Sequence, residues 1–251
     1  GPLDESKRRP RVDWDHTANV QGQACRDYVK WDYQPGSIHG VPDSFARAYS
    51  VMMTEPQGPI YMCYDAWLQE APLTEDIKLP DQSTPRVASK LVADSKALEQ
   101  IADKLLDAEW PVLMPQYVGR SAVGFDNMVA FAETVGAPVC DVHSRLNFPT
   151  EHPLDCRLMP KVFNDADLIV GLDCRDWERP THFNDRINRK MKAHYPDTCD
   201  YVDIGFADIE ISKWAMGYQR YPECSQRVLG DTDLAIPALT EICAGRIKGD
   251  S

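Results

Sequence analysis

A run of charged and aromatic side chains follows the most apolar stretch of this sequence, residues 167–172, which is a predicted strand. The run contains Arg175, Asp176, Trp177, Glu178 and His182. Ligands of open α/β sheets bind beyond the carboxyl ends of strands, so this loop suits one wall of an active site. A carboxylate or an imidazole there could transfer protons, although the two titrate over different pH ranges. The alternative interpretation is a solvated loop whose surface ion pairs contribute little. Under that alternative His182 has no catalytic role.

A second group of residues has weak features of a nucleotide-binding site. Gly119, Arg120 and Ser121 lie between a predicted strand and a predicted helix, where backbone N–H groups can hold phosphate. Asp203 is expected to end another strand, as the ribose-binding acid of a dinucleotide site does. The G-x-G-x-x-G fingerprint is absent, and a single glycine is a weak signal. A loosely held adenine nucleotide therefore remains an open alternative.

No metal site is predicted. His143 and His152 are separated by eight residues across a polar loop, which is not a typical spacing of metal ligands, and we interpret both as structural. The eight cysteines form no C-x-x-C pair, and several lie inside apolar runs. They are expected to be reduced core thiols, which favours an intracellular, cytoplasmic protein.

The elements that must position these groups are organised around residues 110–143. Apolar runs at 111–116 and 138–142 are too short for helices and predict strands. Apolar residues between them repeat every three or four positions, which predicts a helix. Ser121 is its expected N-cap, and Gly136 is placed to end it in the left-handed conformation. Strand, helix and strand at this spacing predict a βαβ unit with parallel strands.

The same alternation continues along the chain, from residue 94 to residue 244. It predicts an α/β fold with a doubly wound, mostly parallel sheet of about five or six strands. The strand at 167–172 is expected to be central, and residues 173–196 are expected to form a loop.

Residues before this domain predict a different organisation. Residues 1–70 contain one helix and a strand at 60–64, which is too little to form a domain, and they are interpreted as a partial N-terminal α/β segment. The strand at 60–64 is expected to lie outside the main sheet. Residues 71–93 are rich in proline and charge and predict a linker, so the central domain is expected to be residues 94–251.

Charge and composition disfavour a nucleic-acid-binding protein and a membrane-spanning protein. The formal net charge is −12 without a basic face, which disfavours binding to nucleic acid. No apolar run approaches the length of a membrane span. The chain starts on Gly-Pro without an initiator methionine, which favours part of a longer gene product.

Five segments carry a family resemblance: VKWDYQP, RAYSVMMTEPQGPIYMCY, FPTEHPL followed by LMP, ADLIVGL, and YVDIGFADIEISKW. In this order they resemble thiamine diphosphate enzymes of the acetolactate synthase and benzoylformate decarboxylase group. The N-terminal tract GPLDESKRRPRVDWDHT is also similar to uncharacterised acetolactate-synthase-like proteins. The resemblance spans nearly the whole chain.

The resemblance implies three successive α/β domains. The first binds the pyrimidine ring of the cofactor, the second is a Rossmann-like central domain, and the third binds the cofactor's diphosphate. This chain would hold the end of the first domain and all of the second. The family's catalytic glutamate would lie before Gly1. Its GDG motif, which holds magnesium and diphosphate, would lie beyond Ser251, because the two Gly-Asp pairs at 230–231 and 249–250 lack the motif's context. Thiamine diphosphate and magnesium are thus expected to bind outside this chain, which is expected to be inactive alone.

Partners and catalytic groups are also implied. The partners are the remaining domains of the same polypeptide, further copies in a homodimer or homotetramer, and a small 2-keto acid. Benzoylformate decarboxylases carry a catalytic histidine in the loop that corresponds to residues 174–182. Here that place falls near Glu178, with His182 four residues later.

Bound FAD is unlikely from the same resemblance. Flavin-carrying relatives have a glycine-rich loop where this chain has residues 115–121, with Gly119 alone and Tyr117 in the way. A second glycine-bearing segment corresponds to residues 156–160, which contain no glycine. Their acidic-arginine turn is replaced by residues 174–178.

Two function classes follow. The first is a fragment of a thiamine diphosphate-dependent 2-keto acid decarboxylase or carboligase, which supplies the central domain and one active-site wall. The second is a non-catalytic α/β module for nucleotide binding or assembly.

Overall fold

The computed structural model describes residues 1–81, 83–84, 86–141, 145–206, 209 and 220–249. His143 and most of the resembling segment after Phe206 lie outside these residues. The described chain divides into two units, which are residues 1–89 and the residues from 90 onward.

The first unit contains a two-stranded parallel sheet. Its strands are β1 (Trp31–Tyr33) and β2 (Ile60–Met62), with Trp31 opposite Ile60. The strand predicted at 60–64 therefore lies in a sheet separate from that of the second unit, as expected. The helices are α1 (Val12–His16), α2 (Gly40–Met53), α3 (Ala66–Glu70) and short 3₁₀ turns at Glu5–Lys7, Gln21–Ala24 and Arg26–Tyr28.

Helix α2 turns small side chains inward and large apolar side chains outward. Ser44 and Ala48 are buried, whereas Phe45 is 60% exposed and Tyr49 is 43% exposed. Pro42 lies in the first turn, where its missing N–H has no intrahelical partner to lose. The first unit thus presents an apolar helix face that its own described residues do not cover.

The second unit follows a stretch, 71–94, whose described residues contain no helix or strand. Its helices are α4 (Ser95–Asp107), α5 (Ala122–Val135), the short α6 (Glu178–Thr181) and α7 (Thr232–Gly249), with 3₁₀ turns at Val118–Arg120 and Pro160–Phe163. Its strands are β3 (Pro111–Pro115), β4 (Leu168–Leu172), β5 (His182–Asp185), β6 (Lys190–Ala193), β7 (Asp200–Gly205) and β8 (Gln226–Leu229). None of the described helices has the length and apolar composition to cross a membrane.

The main sheet has the strand order β3-β4-β7-β8, and all of its pairs are parallel. Alternate residues face opposite sides, so Val170 and Val202 pack in one core with α4, α5 and α7. Ile169 and Tyr201 pack in a second core with Phe163 on the other side. The α/β class and the central position of the strand at 167–172 are confirmed.

The predicted strand at 138–142 is wrong in its extent, because among the described residues 138–141 only Val139 forms isolated parallel bridges, to Leu113 and Asp155, and residue 142 lies outside the described part. The main sheet therefore has four strands in the described residues instead of five or six. The chain turns away at Asp141, whose carboxylate accepts the backbone N–H of Asn147 at 2.8 Å and of Phe148 at 3.2 Å. Asp141 therefore bonds to residues 147 and 148 through its side chain, whereas a strand residue would pair through its main chain.

The expectation of a continuous loop from 173 to 196 is also wrong. This stretch contains α6 and the antiparallel hairpin of β5 and β6, in which His182 lies opposite Ala193. The hairpin tip is shaped by Asp185, whose side chain accepts the N–H groups of Ile187 and Asn188, both at 3.0 Å. Its strands are polar and escaped the apolar pattern used to find strands.

The ends of α5 lie where the sequence predicted. Ser121 caps the helix through the N–H of Gly124 at 2.9 Å, and Gly136 ends it with φ of 65°. A Cβ on Gly136 would meet no atom within 4 Å, so only the backbone conformation requires glycine.

Gly136→Ala should therefore lower the free energy of unfolding by about 1–2 kcal/mol, the cost of a left-handed L-residue. The matched control is Gly245→Ala in α7, which also has open space and should stabilise by about 0.5–1 kcal/mol. Urea unfolding followed by circular dichroism measures both. Equal effects in the two variants would refute this account of Gly136.

Candidate functional site

Polar side chains follow three strands of the main sheet at their carboxyl ends. Gln116 follows β3, Asp173 follows β4, and Asp231 comes two residues after β8. Because the strands are parallel, these ends lie at one edge of the sheet, where ligands of such folds bind. The three residues are 1%, 2% and 0% exposed. Buried polar groups must find partners, so this edge is where side chains bond to each other.

Arg120 is the centre of these bonds. Its guanidinium forms an ion pair with Asp173 and donates to Asp231 Oδ1 at 2.7 Å. It also donates to Thr232 Oγ1 at 3.2 Å and lies 5.5 Å from the ring centroid of Phe206. Arg120 therefore connects the turn before α5 with the end of β4 and the start of α7.

Lys90 and Ser121 extend this cluster through Asp233. Lys90 forms an ion pair with Asp233 and lies 3.5 Å from Asp231 Oδ2, while Ser121 Oγ donates to Asp233 Oδ1 at 2.8 Å. Burial alone would raise the pKa of Asp233, but the hydrogen bonds from Lys90 and Ser121 outweigh it and lower the pKa. The carboxylate is thus ionised at neutral pH, and three carboxylates face two cations.

The sequence interpretation missed Lys90, Asp173, Asp231 and Asp233. A signal existed, because an aspartate stands directly after the last apolar residues of two strands, in GLD and in LGDTD. An ionised residue in that position at a sheet edge requires a partner.

The nucleotide candidates Gly119, Arg120 and Ser121 do lie at this edge, but each is engaged within the chain. Gly119 donates its N–H to Asn147 Oδ1 at 2.9 Å, and a Cβ there would collide with the carbonyl of Leu146. Glycine is thus explained by the close approach of residues 146–147. Arg120 and Ser121 bind the aspartates described above.

Asp203 lies elsewhere. The expectation that it ends a strand is wrong, because β7 continues to Gly205. Asp203 is buried beside Gly171, on the face of the sheet that also carries Tyr201. The structure therefore does not bring Asp203 together with the other nucleotide candidates.

The loop after β4 is held from the neighbouring strand end by Gln116. Its Oε1 accepts the N–H groups of Arg175 and Asp176, both at 2.8 Å, and its Nε2 donates to the carbonyl of Asp176. Arg175 then lies 3.8 Å from the ring centroid of Tyr117. The main-chain path of the proposed active-site wall is thus fixed by one buried amide.

The side chains of Trp177 and His182, which follow the residues held by Gln116, are in ring contact. Their ring centroids are 5.0 Å apart, and His182 also packs edge-on to Tyr195 at 5.6 Å. Thr181 Oγ1 lies 2.8 Å from His182 Nδ1. Burial lowers the pKa of His182, the charge of Arg220 lowers it further, and Glu178 opposes both. The imidazole is therefore neutral at pH 7.

Glu178 forms an ion pair with Arg220, whose carbonyl accepts the Trp177 indole N–H at 3.0 Å. Asp176 Oδ1 accepts the N–H of Arg179 at 3.0 Å and starts α6. The five candidate residues thus share one loop, but only Trp177 and His182 are in ring contact. A neutral histidine has a ring nitrogen that can accept a proton, so His182 has the form of a general base.

The eight cysteines are all free thiols, and Cys63, Cys140 and Cys243 are fully buried. Burial raises the pKa of Cys140 to about 12 and that of Cys243 to about 11. Protonated thiols of this kind pack as small apolar groups and are poor nucleophiles.

Metal and diphosphate anchors do not fit this edge. In the described ranges, no three His, Cys, Asp or Glu side chains are arranged as metal ligands. The aspartates at the sheet edge are instead bound by Arg120 and Lys90.

No protein-family model matches the sequence. The solved structures that match the fold include two with the following similarities. One, from Mycobacterium smegmatis and assigned as a thiamin diphosphate-dependent enzyme, has a TM-score of 0.62 and 23% identity and covers 85% of this chain. The other, benzoylformate decarboxylase from Polynucleobacter necessarius, has a TM-score of 0.65 and 19% identity and covers 90% of this chain. This chain has their fold. It spans 39% and 40% of their respective lengths. The TM-scores confirm the predicted resemblance at the level of the fold.

Replacing Arg120 tests the cluster at the sheet edge. Arg120→Ala leaves Asp173 and Asp231 buried without their shared cation and should cost about 3–5 kcal/mol. The control, Arg246→Ala, removes the more exposed pair with Asp103 and should cost less than about 1 kcal/mol. Urea unfolding of both variants decides, and comparable losses would contradict the central role of Arg120.

The environment of His182 gives a second expectation. Its pKa should lie below the ordinary value of 6.5. Arg220→Gln should raise that pKa because a nearby cation is removed, and Glu178→Gln should lower it. Proton NMR titration of the histidine Hε1 signals measures these shifts, with Lys190→Gln as a control that removes a charge from the far end of the hairpin. A His182 pKa at the ordinary value that does not change in Arg220→Gln would refute this account of the His182 environment.

Proposed function

We propose that this chain is a segment of a thiamine diphosphate-dependent enzyme that decarboxylates or ligates a 2-keto acid, of the acetolactate synthase and benzoylformate decarboxylase type. The observation that carries the proposal is the fold match over 85% and 90% of the chain to two proteins whose names state this chemistry or cofactor. Five sequence segments with the same resemblance, in the same order, support it.

The role proposed for the second unit is mainly structural. The sheet edge where such folds bind ligands is closed by bonds of Arg120 to Asp173 and Asp231. The loop at 173–182 supplies one wall of the active site, and Gln116 fixes its path. Arg175, Trp177 and His182 are its candidate contacts with a 2-keto acid.

Thiamine diphosphate supplies an electron sink for carbanion chemistry when bound. We place its anchors and those of magnesium in domains outside this chain, which alone would be inactive. FAD is not part of the proposal, because the Gly119 N–H is taken by Asn147 and Arg175 covers the ring of Tyr117.

The remaining domains of the polypeptide and further copies, in a homodimer or homotetramer, are the proposed partners. The exposed Phe45 and Tyr49 of α2 support this, since an apolar helix face favours burial against another surface. A cytoplasmic location belongs to the same proposal.

The alternative, a non-catalytic nucleotide-binding or assembly module, has less support in its nucleotide form. Nucleotide phosphates would approach an edge where Asp173, Asp231 and Asp233 outnumber Arg120 and Lys90. The negative charges of the aspartates repel the negative charges of a phosphate, which disfavours nucleotide binding.

The test compares this 251-residue chain with the longer polypeptide that its gene encodes. Only the longer polypeptide should release CO₂ from pyruvate or benzoylformate in the presence of thiamine diphosphate and magnesium. Within it, Arg175→Ala should lower kcat/KM by about tenfold, equivalent to 1.4 kcal/mol, without a change in Tm. Lys161→Ala, at an exposed position of the turn at Pro160–Phe163, is the control.

Turnover by the 251-residue chain alone would overturn the assignment of the anchors. A longer polypeptide that neither binds thiamine diphosphate in calorimetry nor decarboxylates either acid would overturn the function. Full activity in Arg175→Ala would remove the loop from the active site.

A further inference from the structure

The hairpin of β5 and β6, residues 182–193, is a basic surface on an acidic chain. It carries Arg186, Arg189, Lys190 and Lys192 against one acid, Asp185, while the whole chain has a net charge of −12. All four basic residues are exposed, and no ion pair within the described residues uses them. Surface cations usually find counter-charges in an acidic protein, so this group is available for an external partner.

The hairpin also exposes apolar side chains that a solvated loop does not require. Ile187, at the tip, is 92% exposed, and Phe183 is 59% exposed. Phe183 lies opposite Lys192 across the strands, so its ring and that lysine project from one face. Lysines alone could serve to keep an edge strand from pairing. An isoleucine at the apex has no such role, and an apolar anchor ringed by charge is the arrangement of a docking site.

The tip is shaped in advance for contact. Asp185 holds the N–H groups of Ile187 and Asn188 and accepts Asn188 Nδ2 at 2.7 Å. Arg189 has a positive φ of 52°. Because the turn is held by its own bonds, little conformational freedom is lost when Ile187 and the flanking arginines engage a partner.

A segment with the opposite character lies in the first unit. Residues 71–81 contain Glu75, Asp76 and Asp81 against Lys78, with no helix or strand. Leu73 is 62% exposed and Leu79 is 67% exposed. Glu75 has a partner in His39 at 3.1 Å, but its side chain remains 70% exposed. This acidic segment therefore matches the hairpin in both charge and exposed apolar groups.

We propose that the basic hairpin of one copy docks on residues 71–81 of a second copy of this chain. The contact joins two different surfaces of identical copies, so each copy can give its hairpin to one partner and offer residues 71–81 to another hairpin. Arg186 and Arg189 bind Glu75 and Asp76, while Ile187 packs against Leu73 or Leu79. At physiological ionic strength, charges beyond about 8 Å are screened, so the local attraction outweighs the net repulsion of two acidic chains.

Charge-swap variants of the 251-residue chain test this pairing by sedimentation equilibrium in 150 mM NaCl. Wild-type chain should dimerise. Arg186→Glu with Arg189→Glu should weaken the dimer at least about tenfold, and so should Glu75→Arg with Asp76→Arg. The four substitutions together should restore affinity to within about threefold of wild type, because the opposite charges face each other again. Raising NaCl to 500 mM should weaken the wild-type dimer.

Two controls separate the pairing from general effects. Lys96→Glu with Lys161→Glu makes the same change in net charge at exposed sites outside the hairpin, and it should leave dimerisation unchanged. Ile187→Ser keeps every charge and should still weaken the dimer. Circular dichroism and Tm confirm that each variant is folded.

A wild-type chain that stays monomeric overturns the proposal. So does a dimer that is indifferent to the hairpin variants, or a four-fold variant that fails to recover. Binding of wild type, but not of Arg186→Glu with Arg189→Glu, to phosphatidylserine vesicles without any dimer would assign the hairpin to an anionic membrane instead.

Discussion

One partly buried guanidinium holds the second unit together at the carboxyl edge of its sheet. Arg120 reaches the end of β4 through Asp173 and the start of α7 through Asp231. The residue after it, Ser121, caps α5 and bonds to Asp233 on α7. Buried charges are tolerated only with close partners, so these bonds fix where α5 and α7 sit against the strand ends.

This arrangement has a consequence for where chemistry can occur. In most open α/β sheets the carboxyl edge is left vacant for a ligand. Here protein carboxylates occupy the cationic groups that a phosphate would use, and Gly119 lies against the backbone of residues 146–147. The edge therefore acts as a structural joint. The functional side chains that we propose lie instead on residues 173–182, where the rings of Trp177 and His182 are in contact.

Local signals predicted part of this structure well. Ser121 and Gly136 bracket α5 because a side-chain cap and a left-handed terminus depend on neighbouring residues only. The apolar run of β4 identified the strand with neighbours on both sides. The hairpin at 182–193 was not predicted because its two strands have four residues each and no continuous apolar run. The bonds of Arg120 join residues more than fifty positions apart, and no local pattern encodes such a distance.

Gln116 holds the loop through its main chain. Its amide accepts the backbone N–H groups of Arg175 and Asp176 and donates to the backbone carbonyl of Asp176. Any residue except proline offers those same atoms. The shape of the loop is therefore inherited from the end of β3, while the side chains it displays are free to diverge. A fold built this way can exchange the chemical groups it presents without redesigning the surface that presents them.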